Sequence, residues 1–245
     1  MNKKKIITPS KSIDLITVNT ISAQSGLKTL EYSQRNFNFN RVILFSHENP
    51  KGNEYEFVKI EKFENLIEYS NFMLKISTYL DSDYVLIVQD DGFIINSNKW
   101  TDNFLEYDYI GAPWPASRKW LNRWDKYGIE VSSQINQNIK HNRVGNGGFS
   151  LRSSKFIEYS ATFDNCNGLS EDIYLTLYNY QLANEFGIKF PSFETALQFS
   201  NETPLGKILN KNEKKPLNLD VKNHFGWHGK KFKNSNELID LKYQS

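Results

Sequence analysis

Asp83-Tyr84-Val85-Leu86-Ile87-Val88-Gln89-Asp90-Asp91-Gly92 is the stretch on which the fold turns. A short apolar run that ends in a turn signal reads as a strand buried on both faces. Two acids and a glycine follow it directly. Working toward the N-terminus, residues 65–80 carry Leu66, Ile67, Phe72, Met73, Ile76 and Leu80 at roughly helical spacing. Glu56 to Ile60 reads as a strand, Asn49-Pro50-Lys51-Gly52-Asn53 as a turn, and Arg41 to Ser46 as a second buried strand. Residues 24–35 suit a short helix, although Gly26 weakens it, and Ile13 to Val18 alternates as a strand should. Strand and helix in alternation predict an α/β sandwich with a largely parallel sheet. Ligands on such sheets sit beyond the carboxyl ends of the strands, which puts Thr17–Asn19 and Gln89–Asp91 on one rim.

Toward the C-terminus the pattern loosens. Glu106 to Pro115 is aromatic and proline-rich, and residues 116–142 are polar with Trp120 and Trp124, fitting an ordered flap or a mobile loop. Phe149 to Arg152 restores a strand, 153–161 a short helix and 171–186 an amphipathic helix, while 203–223 is rich in lysine and asparagine and reads as irregular. Neither a repeat nor a sharp linker divides the chain. The expectation is a basic tail over residues 1–12 and one domain over 13–245.

The chain has 245 residues, long enough for a full core. Thirty basic against 28 acidic residues leave a net charge of +2, which does not suit a dedicated nucleic-acid binder. No run approaches the roughly 20 apolar residues that cross a bilayer. Lys3-Lys4-Lys5 resembles the start of a signal peptide, but Thr8-Pro9-Ser10-Lys11 stands where an apolar segment belongs, so secretion is not expected. The lone Cys166 can form neither an internal disulfide nor a cysteine zinc site, and a reducing cytoplasm is the expected compartment. The sequon Asn201-Glu202-Thr203 has no meaning there.

Four constellations can carry chemistry. Asp90 and Asp91 offer hard oxygen ligands for Mg²⁺ or Mn²⁺. Strand residues alternate in direction, so both acids serve one site only if Gly92 turns the chain; an acidic turn capping a strand is the plain alternative. Arg143-Val144-Gly145-Asn146-Gly147-Gly148-Phe149 permits close backbone approach to a ligand but has no P-loop ending. Ser170-Glu171-Asp172 reads as a helix start, with Ser170 as cap and two acids complementing the dipole, or as a general base with an orienting neighbour. His224-Phe225-Gly226-Trp227-His228-Gly229 reads as a loop delivering one imidazole, or as a packed histidine beside a tryptophan.

In this order the motifs resemble those of GT-A-type glycosyltransferases, and more narrowly an uncharacterised glycosyltransferase-like family of bacteria and eukaryotes. The resemblance rests on V-L-I-V-Q-D-D-G at 85–92, Y-D-Y-I-G-A-P-W-P at 107–115, R-V-G-N-G-G-F-S-L-R at 143–152, S-E-D-I-Y at 170–174 and F-G-W-H-G at 225–229. It implies a GT-A-like, Rossmann-like α/β/α sandwich with a nucleotide-binding half over 13–92 and an acceptor-binding half over 93–232.

The resemblance also implies a set of roles. The acid cluster takes the place of the D-x-D metal motif, with Gln89 where the first aspartate would be. Asp91 becomes a metal ligand, completed by His228, and Asp90 a contact to the ribose or a metal-bound water. Asp172 matches the base of inverting members, and Glu171 a substrate-orienting group. Asn146, Gly147 and Gly148 shape the donor-sugar and acceptor pocket. Thr17 and Asn19 meet the nucleoside. Asn71 and Lys75 share a helix face, from which Lys75 either reaches a phosphate or stands as a solvated lysine. Trp114, with Trp120 and Trp124, is a candidate for stacking on acceptor sugars, although tryptophan more often fills a core. The implied partners are a nucleotide-sugar donor, UDP-sugar favoured, and a glycan or other hydroxyl acceptor. The implied cofactor is Mn²⁺ or Mg²⁺. The implied setting is surface glycan or polysaccharide synthesis, in the cytoplasm or peripherally at the inner face of the membrane. A non-catalytic carbohydrate- or nucleotide-binding protein and a metal-dependent phosphoester hydrolase are the competing readings.

Overall fold

The computed structural model describes residues 6–52, 54–203, 221–229 and 235–243. Strands β1 (Ile13–Val18), β2 (Val42–Ser46), β3 (Glu56–Lys59) and β4 (Tyr84–Ile87) lie side by side and parallel. Short β5 (Gly92–Ile94) leaves this sheet, and β6 (Tyr109–Gly111) and β7 (Ser150–Ser153) return to complete it in the order β3-β2-β1-β4-β7-β6. β7 runs antiparallel to both its neighbours. β8 (Ser200–Asn201) and β9 (Gly226–His228) form a second small sheet with β5, in the order β5-β9-β8.

The sheet is buried on both faces because its residues alternate between two cores. Leu15, Leu44, Leu86 and Leu151 point into one with Leu27 and Leu30 of helix α1 (Ala23–Ser33). Ile16, Ile43, Val85 and Ile87 point into the other with Met73 of α2 (Leu66–Leu74). That two-sided burial is what the unbroken apolar runs demand. The result is an α/β/α sandwich with a mainly parallel central sheet. Among the described residues no helix is long and apolar enough to cross a membrane.

Ser22 caps α1 through the Ser25 N–H, and Asn65 caps α2 through the N–H groups of Ile67 and Glu68. The helix expected over 65–80 stops at Leu74, where Lys75 leaves helical geometry (φ −106°), and a 3₁₀ turn covers Ile76–Tyr79. Residues 116–142 form an ordered unit: α3 (Arg118–Leu121), a 3₁₀ segment Asn122–Tyr127, and α4 (Ile129–Asn138). Helix α5 (Ser154–Ala161) follows β7.

The helix expected over 171–186 is broken into α6 (Glu171–Ile173), a π turn over Tyr174–Tyr178, and α7 (Tyr180–Glu185). The π turn persists because Asn179 bonds back to the Tyr174 carbonyl, while Asn138 and Asn142 donate to the carbonyls of Leu177 and Thr176. Helices α8 (Phe193–Phe199) and α9 (Ser235–Asp240) complete the described chain. Residues 204–220, most of the stretch read as irregular, lie outside the described residues, as do 1–5 of the expected tail. The rest of that tail is docked: Ile7 pairs with the backbone at Asn36 and Asn38, and Ser12 donates twice to Asp83.

Candidate functional site

A cleft of about 440 Å³ opens at the carboxyl edge of β1 and β4. Thr17, Asn19, Tyr69, Gln89, Asp90 and Asp91 line it. Thr17–Asn19 and Gln89–Asp91 are therefore on one rim, and the first turn of α2 forms the opposite lip with Asn65 and Leu66.

Beyond β4 the chain makes a two-residue hairpin. Gln89 and Gly92 exchange both backbone hydrogen bonds, at 2.8 and 2.9 Å, and Asp90 and Asp91 occupy the tip. This turn frees the two acids from strand alternation. Asp90 accepts a hydrogen bond from the Asn19 side chain at 2.9 Å. Asn19 is itself fixed, since its amide oxygen accepts from the N–H groups of Ile21 and Ser22. On the other side Lys242, fully buried, donates to the Asp90 carbonyl at 2.9 Å and to the hydroxyls of Ser25 and Thr29, both at 3.1 Å. Its ammonium also stands 3.6 Å from the Asp90 carboxylate. Nothing in the sequence around residue 242 marks this contact.

Asp91 points the other way. Its carboxylate lies 3.5 Å from Nε2 of His228, and its carbonyl accepts the Gly229 N–H at 2.7 Å. β9 delivers the histidine by pairing with β5, where Gly92 faces His228 in register. The imidazole is held between two glycines. A Cβ on Gly148 would stand 2.1 Å from Nε2, and one on Gly92 would stand 2.6 Å from Cδ2. The buried Nδ1 has no hydrogen-bond partner among the described residues.

The loop Gly145–Gly148 leads from this histidine to the acids of α6. Asn146 adopts a left-handed conformation (φ 69°), which asparagine tolerates, and its amide oxygen accepts the Gly148 N–H. The Gly147 N–H donates to Asp172 at 2.9 Å. Gly147 and Gly148 are neighbours in the chain, so Asp172 and His228 approach adjacent residues of one loop. The other oxygen of Asp172 accepts the Ile173 N–H. Ser170 sits at the cap position but makes no side-chain capping bond.

Several expectations need correction. The glycines of this loop are required by close approach of the protein's own groups: Gly147 by Glu171, Gly148 by His228, and Gly145 by the Trp114 ring. Trp114, Trp120 and Trp124 are buried together in the core that α3 and α4 build with α6 and α7, where large aromatic rings contribute most; none presents a face for a sugar. Glu171 is 3% exposed and paired at 2.8 Å with Arg152, which is 0% exposed. Burial and then Asp172 push the Glu171 carboxyl above its ordinary value, and Arg152 opposes them. A carboxylate committed to a buried guanidinium is not available to orient a substrate. Asn71 spends its amide oxygen on the Cys166 N–H. Lys75 is exposed beyond the last turn of α2, whereas the cleft meets the first.

Two further residues belong to the site. Tyr69 lines the cleft and accepts a hydrogen bond from Gln89 at 2.9 Å. Burial, reinforced by Glu171, holds its phenol well above the ordinary value, so it stays protonated. Arg152 did leave a signal, because a cation inside a buried strand needs a buried partner. Burial, with Glu171 and Asp172 adding to it, pushes the Cys166 thiol up to about 12, which rules out a thiolate nucleophile at neutral pH.

Among the described residues no group of three or more His, Cys, Asp or Glu side chains stands together as a metal site. Asp91 and His228 supply two donors of types that Mn²⁺ accepts. Such a pair fits an ion that takes its remaining ligands from a bound diphosphate and water; it does not fit an all-protein cage.

Fold and site together define an α/β protein with a cleft at the carboxyl edge of a mainly parallel sheet. Residues 53–219, more than half of the chain, match the DUF5672 model, described as a protein of unknown function, and the chain belongs to that family. No curated protein matches it in sequence. Among solved structures it is similar to an active-site mutant of LgtC, with 12% identity, a TM-score of 0.47, and 88% of this chain and 86% of that one covered. It is also similar to the mannosyltransferase PcManGT from Pyrobaculum calidifontis in complex with GDP-Man and Mn²⁺, with 9% identity, a TM-score of 0.37, and 75% of this chain and 55% of that one covered.

Proposed function

We propose that this protein is a glycosyltransferase that moves a sugar from a nucleoside-diphosphate sugar, UDP-sugar favoured, to a hydroxyl acceptor with inversion. The observation that carries the reading is the meeting of Asp91, which lines the cleft, and His228 at 3.5 Å, from segments far apart in the chain. Residues 13–92 would serve the donor and 93–232 the acceptor. The setting proposed is surface glycan or polysaccharide synthesis in the cytoplasm or at the inner face of the membrane.

In this reading the nucleoside enters beside Thr17 and Asn19, and Asp91 with Nε2 of His228 would hold Mn²⁺ or Mg²⁺. Such an ion supplies Lewis-acid stabilisation of charge on a departing diphosphate. Asp90, steadied by Asn19 and Lys242, faces the ribose. Asp172 takes the proton of the acceptor hydroxyl, and the Gly147 N–H fixes the orientation of its carboxylate. Glu171 and Arg152 act behind it as a buried strut.

Calorimetry with a nucleoside diphosphate and Mn²⁺ tests the donor site. Asp91→Asn and His228→Ala should each weaken manganese-dependent binding at least about tenfold. Asp172→Asn keeps an oxygen for the Gly147 N–H, so it should bind donor normally and lose transfer by about 10²-fold or more. Unimpaired transfer by that variant would remove Asp172 as the base. A second reading, a nucleotide-binding protein without turnover, is favoured by Gln89 in place of an acid and by the two-donor pair. Failure of the wild-type protein to hydrolyse or transfer any donor that it binds would select it.

A further inference from the structure

We infer that Gln89 and Tyr69 form an uncharged hydrogen-bond-donor pair on the cleft wall, built to take a phosphate oxygen of the nucleotide. This rests on the donor-site reading above and adds a subsite to it. Both side chains line the cleft beside Asp91. The Gln89 amide N–H donates to the phenol oxygen at 2.9 Å. Among the described residues the phenol's own proton finds no acceptor, so it remains available to a ligand. Turning the amide over gives the same result: the phenol then donates to the amide oxygen and the amide N–H₂ is released. Either way the pair offers an N–H or O–H and no charge.

A carboxylate at position 89 would reverse this. The phenol would donate to it, and the wall would present acceptors and a negative charge. Glutamine therefore sets the polarity of this part of the cleft. A donor without charge suits an oxygen that is anionic and carries no proton, which describes a phosphate better than a ribose hydroxyl. The hairpin then has two sides: Asp91 with His228 for a cation, and Gln89 with Tyr69 for the anion beside it.

The alternative makes Gln89 a degraded metal ligand, and the two ideas predict opposite signs for one substitution. Titration of nucleoside diphosphate and of the bare nucleoside, with Mn²⁺ present, separates them. Gln89→Glu should weaken diphosphate binding about tenfold or more, and Tyr69→Phe by a similar factor, while nucleoside binding changes less than about twofold. Tighter diphosphate binding by Gln89→Glu overturns the inference, as does Tyr69→Phe binding like wild type. Should Tyr69→Phe fail to fold, as circular dichroism would show, Gln89→Glu decides alone. If the wild-type protein binds no nucleoside diphosphate with or without Mn²⁺, the donor-site reading falls and this inference with it. Diphosphate binding that survives both variants sinks the inference and spares the reading.

Discussion

Asp90–Asp91 at the cleft and Glu171–Asp172 at the start of α6 are both pairs of adjacent acids, yet the fold treats them in opposite ways. The first pair sits on a hairpin tip, with 41% of the Asp90 side chain and 25% of the Asp91 side chain exposed. It is held by single contacts from Asn19, Lys242 and His228, and its carboxylates keep lone pairs free. The second pair begins a helix under a core, and Glu171 is locked to Arg152 with no exposure to spare. Exposed acids held by outside struts can accept a ligand, whereas a buried acid holds the scaffold. Asp172, between the two extremes, is half-buried and tied to the loop that seats His228.

Breaking the buried pair should have the largest effect. Arg152→Met leaves the Glu171 carboxylate without its partner and should cost about 3–5 kcal/mol in urea denaturation. Adding Glu171→Gln should recover part of that loss. Asp91→Asn, at the exposed pair, should stay within about 1 kcal/mol; an equal cost for both would erase the contrast.

Gly148→Ala comes next. The new methyl cannot coexist with the His228 ring, so we expect a stability loss of about 1–3 kcal/mol and loss of manganese-dependent nucleotide binding in calorimetry. Unchanged binding would mean that the imidazole is not needed where it stands.

Lys242→Met removes a buried amine from the Asp90 carbonyl and two hydroxyls. A cost of about 1–2 kcal/mol in the same denaturation experiment is expected, together with weaker binding at the loosened turn. A cost as great as that of Arg152→Met would show that the turn is braced as firmly as the core.

The smallest shift concerns Asp14, a buried acid outside both pairs. Burial raises its carboxyl above 3.8, against hydrogen bonds from Asn40 and Ser82. Its contribution to stability is whole below that unfolded value and fades as pH rises through the raised folded one. Melting temperatures of Asp14→Asn should therefore improve relative to wild type as pH goes from about 4 to 7. A constant difference would mean that Asp14 does not titrate there.

Strands β2 and β4 were legible because burial on both faces leaves unbroken apolar runs such as Val85 to Val88, and β1 because its apolar and polar residues alternate. The helix ends were not. Nothing local stops α2 at Leu74, and the break after Ile173 depends on Asn138 and Asn142 reaching in from α4 and the loop after it. At the site, Asp91, His228 and Asp172 were legible as motif residues. Sequence left the three tryptophans between core and sugar platform, because a ring that can stack on a sugar can equally fill a core. Tyr69 and Lys242 were not legible at all, since each acts through a partner remote in sequence, Gln89 and Asp90.

Sequence alone determined the layered architecture, the acidic turn at a strand end and the glycines around Asn146, because periodicity and glycine content act over a few residues. Tertiary structure decided which acids stay open, which tryptophans are core, and that a lysine near the C-terminus braces the Asp90–Asp91 turn. Those outcomes depend on burial and on distances between side chains remote along the chain, and only the folded molecule fixes them.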